Sequence, residues 1–332
     1  MAIPPKTGAG PITLKDVARA ANVGESTASR ILNDKGSFSQ DARERVLRAA
    51  RKLHYVPNRI AGTLASTGSQ LVGIIIPAVT TTFFPDLLLG ANSVLEAAGF
   101  QSVISVTEYE AAREEKLIES LLSWRPAGIL VTGLEHSERA RAMLKASNTR
   151  VVELGDTDGE GIDIVVGFSN QAAGYAAGKF LLERKYRHIG YVGNRSTRAG
   201  KRYEGFKAAL ADAGVALADE EITHGLASIK SGRDGLMRLL KRKTKLEVVY
   251  FANDDMAIGG YFHCNATGIS IPDTLALFGH NGSDEGQLTA HPLSTIRVPH
   301  HSIGKIGAKL LLSGGPAQVI DLGFELSEGM TT

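Results

Sequence analysis

Two hydrophobic rhythms divide the chain. Between residues 13 and 54 the apolar positions keep helical spacing, with Ala42, Val46, Ala49 and Leu53 at intervals of +4, +7 and +11 on one face. Thr13 with Asp16 predicts a capped start for a helix over Leu14–Ala21, and Asn22-Val23-Gly24 ends it. A second helix is expected from Glu25 to Asn33, then a turn at Asp34-Lys35-Gly36-Ser37 and a third helix capped by Ser39. From Leu71 onward short apolar runs alternate with amphipathic stretches. The runs predict strands at Leu71–Ile76, Ser102–Val106, Gly128–Val131, Arg150–Leu154, Ile189–Val192, Val248–Phe251 and Thr274–Phe278. Helices are expected over 84–98, 111–123, 137–147, 171–185, 200–213, 231–242, 254–267 and 301–312. Such βαβα alternation with continuous apolar strands implies parallel sheets covered by helices on both faces, an α/β fold.

Charge sharpens the division. The net charge is only +2, but residues 1–70 hold 11 Lys and Arg against 5 Asp and Glu, leaving 26 against 30 in the remainder. A basic head on a mildly acidic body points to a polyanion as the head's partner. Two helices joined by a tight turn are the unit that lays its second helix in the DNA major groove. Tyr55-Val56-Pro57-Asn58-Arg59-Ile60-Ala61-Gly62-Thr63-Leu64-Ala65 then links this head to the first strand.

Thr13-Leu14-Lys15-Asp16-Val17-Ala18, Ser29-Arg30-Ile31-Leu32-Asn33 and Tyr55-Val56-Pro57-Asn58-Arg59 together resemble the head and hinge of the lactose-repressor (LacI/GalR) family. Glu119-Ser120-Leu121-Leu122-Ser123-Trp124, Val165-Val166-Gly167-Phe168 and Ile320-Asp321-Leu322-Gly323-Phe324-Glu325-Leu326-Ser327 make the chain most similar, within that family, to repressors of gluconate utilisation. The resemblance implies a helix-turn-helix head over 12–56, a hinge over 57–69, and a two-lobed, Rossmann-like body of periplasmic-binding-protein type over 70–332. Lobe one is placed at about 71–184 and 300–320, lobe two at about 187–297 and 322–332. It also implies DNA contacts from Glu25, Ser26, Thr27, Ser29, Arg30 and Asn33 on the second helix, and from Tyr55, Asn58, Arg59, Ala61 and Leu64. Arg30 has the chemistry to give two hydrogen bonds to a guanine; a phosphate contact or a salt bridge on the head is the alternative. Gly24 departs from the Ser or Thr often found before that helix and weakens its cap. Leu64 matches a residue wedged into the minor groove at the operator centre, with packing of hinge on body as the alternative. Gly62 favours a hinge that folds only on DNA.

In parallel sheets ligands bind beyond the carboxyl ends of the strands. The segments there are rich in hydroxyls, amides and guanidinium groups, which suits a small, hydroxylated, anionic ligand. Arg202 matches the family's effector-gripping arginine, and Arg198, four residues earlier, shares its helix face. Asn253 and Asp254 are placed to bond vicinal hydroxyls, with N-capping as the alternative or additional role. Asn281 stands where relatives often carry Asp. Phe83 and Phe84 are candidates for stacking on the ligand, and Thr132 completes the expected set.

Other chemistry lacks support. No Gly-x-x-x-x-Gly-Lys loop occurs, and no Gly-x-Gly-x-x-Gly follows a strand, so no nucleotide cofactor is expected. Nine scattered histidines and one cysteine make no metal ligand set, and no cofactor or metal is predicted. No apolar run approaches the roughly 20 residues of a membrane span, and Pro77 breaks Leu71–Val79. The expectation is a cytoplasmic, non-enzymatic repressor, homodimeric on a pseudo-palindromic double-stranded operator, with a tetramer left open. Its operator affinity is lowered by a gluconate-like sugar acid. The alternatives are another sugar or a sugar phosphate as effector, and a co-repressed or dual regulator.

Overall fold

A computed structural model of the protein describes residues 10–57, 69–79, 83–194 and 196–332. The chain divides into a small unit ending at Ser69 and a large one beginning at Gln70.

The small unit is three helices, α1 (Leu14–Ala21), α2 (Glu25–Leu32) and α3 (Gln40–Lys52). Thr13 and Asp16 form the reciprocal capping box, and hydrogen bonding by Thr13 holds the Asp16 carboxyl below its ordinary range. Ser39 caps α3 by accepting the Ala42 N–H at 3.3 Å. Gly24 gives α2 no side-chain cap, as its missing hydroxyl requires. Val17, Ala18, Ala28, Ile31, Val46 and Ala49 close the core.

The large unit contains two six-stranded sheets. In the first, β1 (Leu71–Ile76), β2 (Gln101–Val106), β3 (Gly128–Thr132), β4 (Arg150–Leu154), β5 (Ile164–Gly167) and β11 (Gln318–Asp321) lie in the order 2-1-3-4-5-11. In the second, β6 (Ile189–Asn194), β7 (Asp219–Thr223), β8 (Val248–Phe251), β9 (Ala276–Asn281), β10 (Ser294–Arg297) and β12 (Glu325–Ser327) repeat it as 7-6-8-9-10-12. All neighbours are parallel except β10 and β12, which run antiparallel. Each sheet therefore has a topological switch point, between β1 and β3 in one and between β6 and β8 in the other.

Helices α4 (Phe83–Ala97), α5 (Ala111–Ser123), α6 (Glu138–Ala146) and α12 (His300–Ser313) pack with the first sheet. With the second go α7 (Asn170–Glu183), α8 (Thr197–Asp212), α9 (Ile229–Lys241), α10 (Asp254–Thr267) and the short α11 (Asp284–Gln287). Three helix pairs meet backbone to backbone at reciprocal glycines: Gly90 with Gly304, Gly174 with Gly205, and Gly232 with Gly259. A Cβ at any of the six would come within about 2 Å of a main-chain oxygen on the facing helix.

Two expectations need correction. α7 belongs to the second lobe, not the first: Phe180 packs its ring 5.3 Å from that of Phe278, and the Tyr175 hydroxyl donates to Asp212 at 2.9 Å. The first crossover thus follows β5, a strand too short and too apolar to separate from its neighbours by periodicity. The last strand of the expected set runs to Asn281, beyond Phe278, because His280 and Asn281 are polar yet buried. Among the described residues no helix is long and apolar enough to cross a membrane.

Candidate functional site

On the head, α2 carries a polar face. Glu25, Ser26, Arg30 and Asn33 are exposed, and Thr27 and Ser29 are half-buried. The basic residues of α3 are mostly tied to acids, Arg43 to Asp34, Arg45 to Asp41 at 3.2 Å and Arg48 to Glu44 at 3.9 Å. Arg30 makes no ion pair among the described residues. Its guanidinium lies 5.3 Å from the centre of the Phe38 ring, which fixes the stem and leaves the charge uncompensated. Asn33 donates to the Ser29 carbonyl at 2.8 Å, and Tyr55 packs partly on the head core. Asn58, Arg59, Ala61 and Leu64 lie outside the described residues.

In the body, the loops at both switch points converge on one chamber. Phe83, Phe84, Tyr109, Phe168 and Asn170 line it together with Asn194, Ser196, Arg198, Arg202, Ala227, Ala252, Asn253 and Asn281. Six expected residues therefore come together: Phe83, Phe84, Arg198, Arg202, Asn253 and Asn281. Arg198, in the first turn of α8, reaches across to lobe one, its guanidinium 4.8 Å from the Phe83 ring centre and 5.2 Å from that of Phe84. Those rings serve as a platform for an arginine. Arg202 is buried and donates to Asn170 Oδ1 at 2.9 Å, while its Nε has no partner. Burial lowers its pKa, and the Arg198 charge adds to this.

Two buried histidines line up behind these cations and stay neutral. Burial pushes His300 down to about 4, assisted by Arg198, and it pushes His280 well below its ordinary range. The positive charge of the chamber rests on two guanidinium groups with no carboxylate in ion-pair range among the described residues. Leaving such charges dry and unpaired is costly, so the geometry asks for an anion. Asn253 caps α10 by accepting the Met256 N–H at 3.0 Å, so its amide nitrogen remains to donate.

Asp254 and Thr132 do not line the chamber. The Asp254 carboxylate is wholly buried and turned into the second sheet, where it accepts the Ser283 N–H at 2.6 Å and the Thr295 hydroxyl at 2.7 Å. It anchors the turn after β9. Thr132 donates to the Ile75 carbonyl at 3.4 Å and lines a neighbouring compartment that shares Tyr109, Ser196 and Arg198 with the chamber. Free space is about 30 Å³ in the chamber and about 210 Å³ in that compartment. The first volume holds a water molecule and not a six-carbon acid.

Residues 13–58 match the bacterial regulatory proteins of the lacI family, and residues 69–314 match the periplasmic binding proteins and sugar-binding domain of that family. The chain belongs to the LacI family. It is 36% identical to the HTH-type transcriptional regulator GntR of Pseudomonas aeruginosa, with 95% of this chain and 94% of that protein covered. It is 32% identical to the GntR regulator of Escherichia coli (strain K12), over 95% of this chain and 97% of that one. A crystal structure of a LacI-family regulator from Silicibacter pomeroyi superimposes with a TM-score of 0.91 at 39% identity, covering 97% of this chain and 99% of the other. This LacI-family member is a DNA-binding transcriptional regulator and not an enzyme.

Residue-level reasoning missed Tyr109, Phe168, Asn170, Asn194 and Ser196. Asn194 ends β6, and Ser196 precedes α8 as its N-cap residue. Tyr109 sits in the β2–α5 turn, where Glu108 and Tyr109 both take positive φ, a conformation their side chains do not advertise. Phe168 and Asn170 follow β5, the unrecognised strand. Asn170 opening a helix after an apolar run was the available signal.

Proposed function

We propose that this regulator is a repressor whose operator affinity is lowered by a small sugar acid of the gluconate class. The observation that carries this reading is the pair of uncompensated guanidiniums, Arg198 and Arg202, in a chamber otherwise lined by amides, hydroxyls, aromatic rings and two alanines. Arg202 takes the acid group, while Asn253 and Asn281 bond the hydroxyls. Arg30, free of ion pairs and held at its stem by Phe38, reads a base edge in the major groove. A homodimer presents two heads to a pseudo-palindromic operator, and Leu64 of each hinge enters the minor groove at its centre.

Effector binding re-aims the lobes and disfavours the hinge pair that inserts Leu64. Linkage makes the coupling reciprocal: the factor by which acid weakens operator binding is the factor by which operator weakens acid binding. Calorimetric titration of D-gluconate, 2-ketogluconate and 6-phosphogluconate, with and without operator DNA, tests this on wild type and Arg202→Ala. The expected variant still binds operator and no longer releases it on adding acid. Unchanged acid affinity in the variant removes Arg202 from the site, and tighter acid binding on operator reverses the sign to co-repression.

A further inference from the structure

Lys201 lies between Arg198 and Arg202 on α8 but is not among the residues lining the chamber. Its ammonium is bound by the carboxylates of Asp156 and Glu135, and it donates to the Asp158 carbonyl at 2.9 Å. All three acceptors sit on lobe-one segments that follow β3 and β4, whereas α8 belongs to lobe two. This contact is not a loose surface pair: Asp156 is fully buried, and the Lys201 side chain is 19% exposed. Burial would lower the ammonium's pKa, but bonding to Asp156 and Glu135 outweighs it and raises the value.

The network continues inward. Asn170 donates from Nδ2 to Asp156 Oδ1 at 3.2 Å and to the Gly155 carbonyl at 3.2 Å. Its Oδ1 then accepts from Arg202. One unbroken chain therefore runs Glu135–Lys201–Asp156–Asn170–Arg202, crossing from lobe to lobe and ending on the guanidinium proposed to hold the acid. The chamber it closes has about 30 Å³ of free space, so an acid enters only when the lobes part.

We infer that Lys201 is a positioning residue: it clasps the two lobes to each other and, through Asp156 and Asn170, orients Arg202 for the anion. The role in affinity rests on the effector reading above; the clasp itself does not. Breaking the clasp opens the empty protein, so an acid enters faster, leaves faster still, and binds more weakly.

Spin labels at Glu119→Cys on α5 and Lys241→Cys on α9, both exposed positions on opposite lobes, report the lobe separation in the full chain. With each labelled protomer paired to an unlabelled one, the expected wild type gives one narrow distance without ligand. Lys201→Met gives a longer, broader distribution that narrows again with saturating D-gluconate, and Lys201→Arg restores the wild-type distribution. Stopped-flow binding of D-gluconate to Lys201→Met is expected to show faster association and a Kd raised about tenfold, within the usual range of intramolecular couplings. Glu135→Gln, which removes one of the two negative charges that hold the ammonium, opens the lobes in the same direction and serves if Lys201→Met does not fold. Unchanged ligand-free distances in both variants overturn the clasp. A wild type that binds no sugar acid overturns the effector reading instead, and the ligand-free distances still decide the clasp.

Discussion

Raising the pH is expected to loosen lobe one through a single buried imidazole. His136, in the loop after β3, is enclosed between two carboxylates, with Nδ1 2.7 Å from Glu114 Oε1 and Nε2 3.3 Å from Glu153 Oε1. Its side chain has no exposure, and that of Glu153 has none either. Burial works against the imidazolium, but hydrogen bonds and charge from Glu114 and Glu153 prevail and raise its pKa to about 9. The unfolded chain gives up this proton near 6.5. Below that pH both states are protonated and the ion pairs contribute in full. Between 6.5 and about 9 the fold holds the proton that the unfolded chain has lost, so stability falls as pH rises, and above about 9 the contribution is gone. At 1.36 kcal/mol per pH unit the whole effect is about 3 kcal/mol. Trp124, the single tryptophan, ends α5, the helix that carries Glu114, and gives a local signal. Urea unfolding followed by its fluorescence at pH 6, 7, 8 and 9 is expected to show midpoints that decline in wild type and stay nearly level in His136→Gln. Parallel declines in the two proteins, or an imidazole that titrates near 6.5 by NMR, would refute the argument.

Three further outcomes follow from the same geometry. Arg202→Met removes a buried, unpaired cation and is expected to stabilise the ligand-free body by about 1–3 kcal/mol, read as a Tm rise of about 2–4 °C per kcal/mol, while abolishing any stabilisation by acid. Asp254→Asn leaves the acid site intact but misorients a buried acceptor of two hydrogen bonds; about 2 kcal/mol of stability is lost, and calorimetry with D-gluconate finds the affinity unchanged. Arg30→Ala is expected to cost about 1–3 kcal/mol on operator and little on random DNA, whereas Arg48→Ala weakens both alike, as competition gel shifts at fixed salt will show.

What was legible in the sequence was local chemistry repeated at a fixed spacing. The capping box at Thr13, the apolar face of α3 and the βαβ alternation are short-range patterns, and they led to the head, the sheets and the loops at the strand ends. The chamber lining was legible as far as whole loops. Which of two adjacent residues turns inward was not: Asn253 faces the chamber and Asp254 the sheet, a choice made by Ser283 and Thr295 some 30 and 40 residues away. Lobe membership of α7 failed for a related reason. β5 has four residues, and the polar edge strand β7, Asp219–Thr223, has no apolar run to announce it.

The glycine crossings of the helix pairs carry a consequence for how such a regulator can change over time. At Gly174 the facing atom is the main-chain oxygen of Arg202 itself, and at Gly205 it is that of Gln171. The frame is thus locked by positions that tolerate no side chain, and substitution there breaks the machine. The rim residues Asn194, Ser196, Asn253 and Asn281 sit at strand ends and helix caps that do not enter those crossings. Mutation is free to explore ligand recognition on the rim while the moving parts are held constant. A duplicated copy of the gene has a short route to a new ligand, and a long one to a new way of responding.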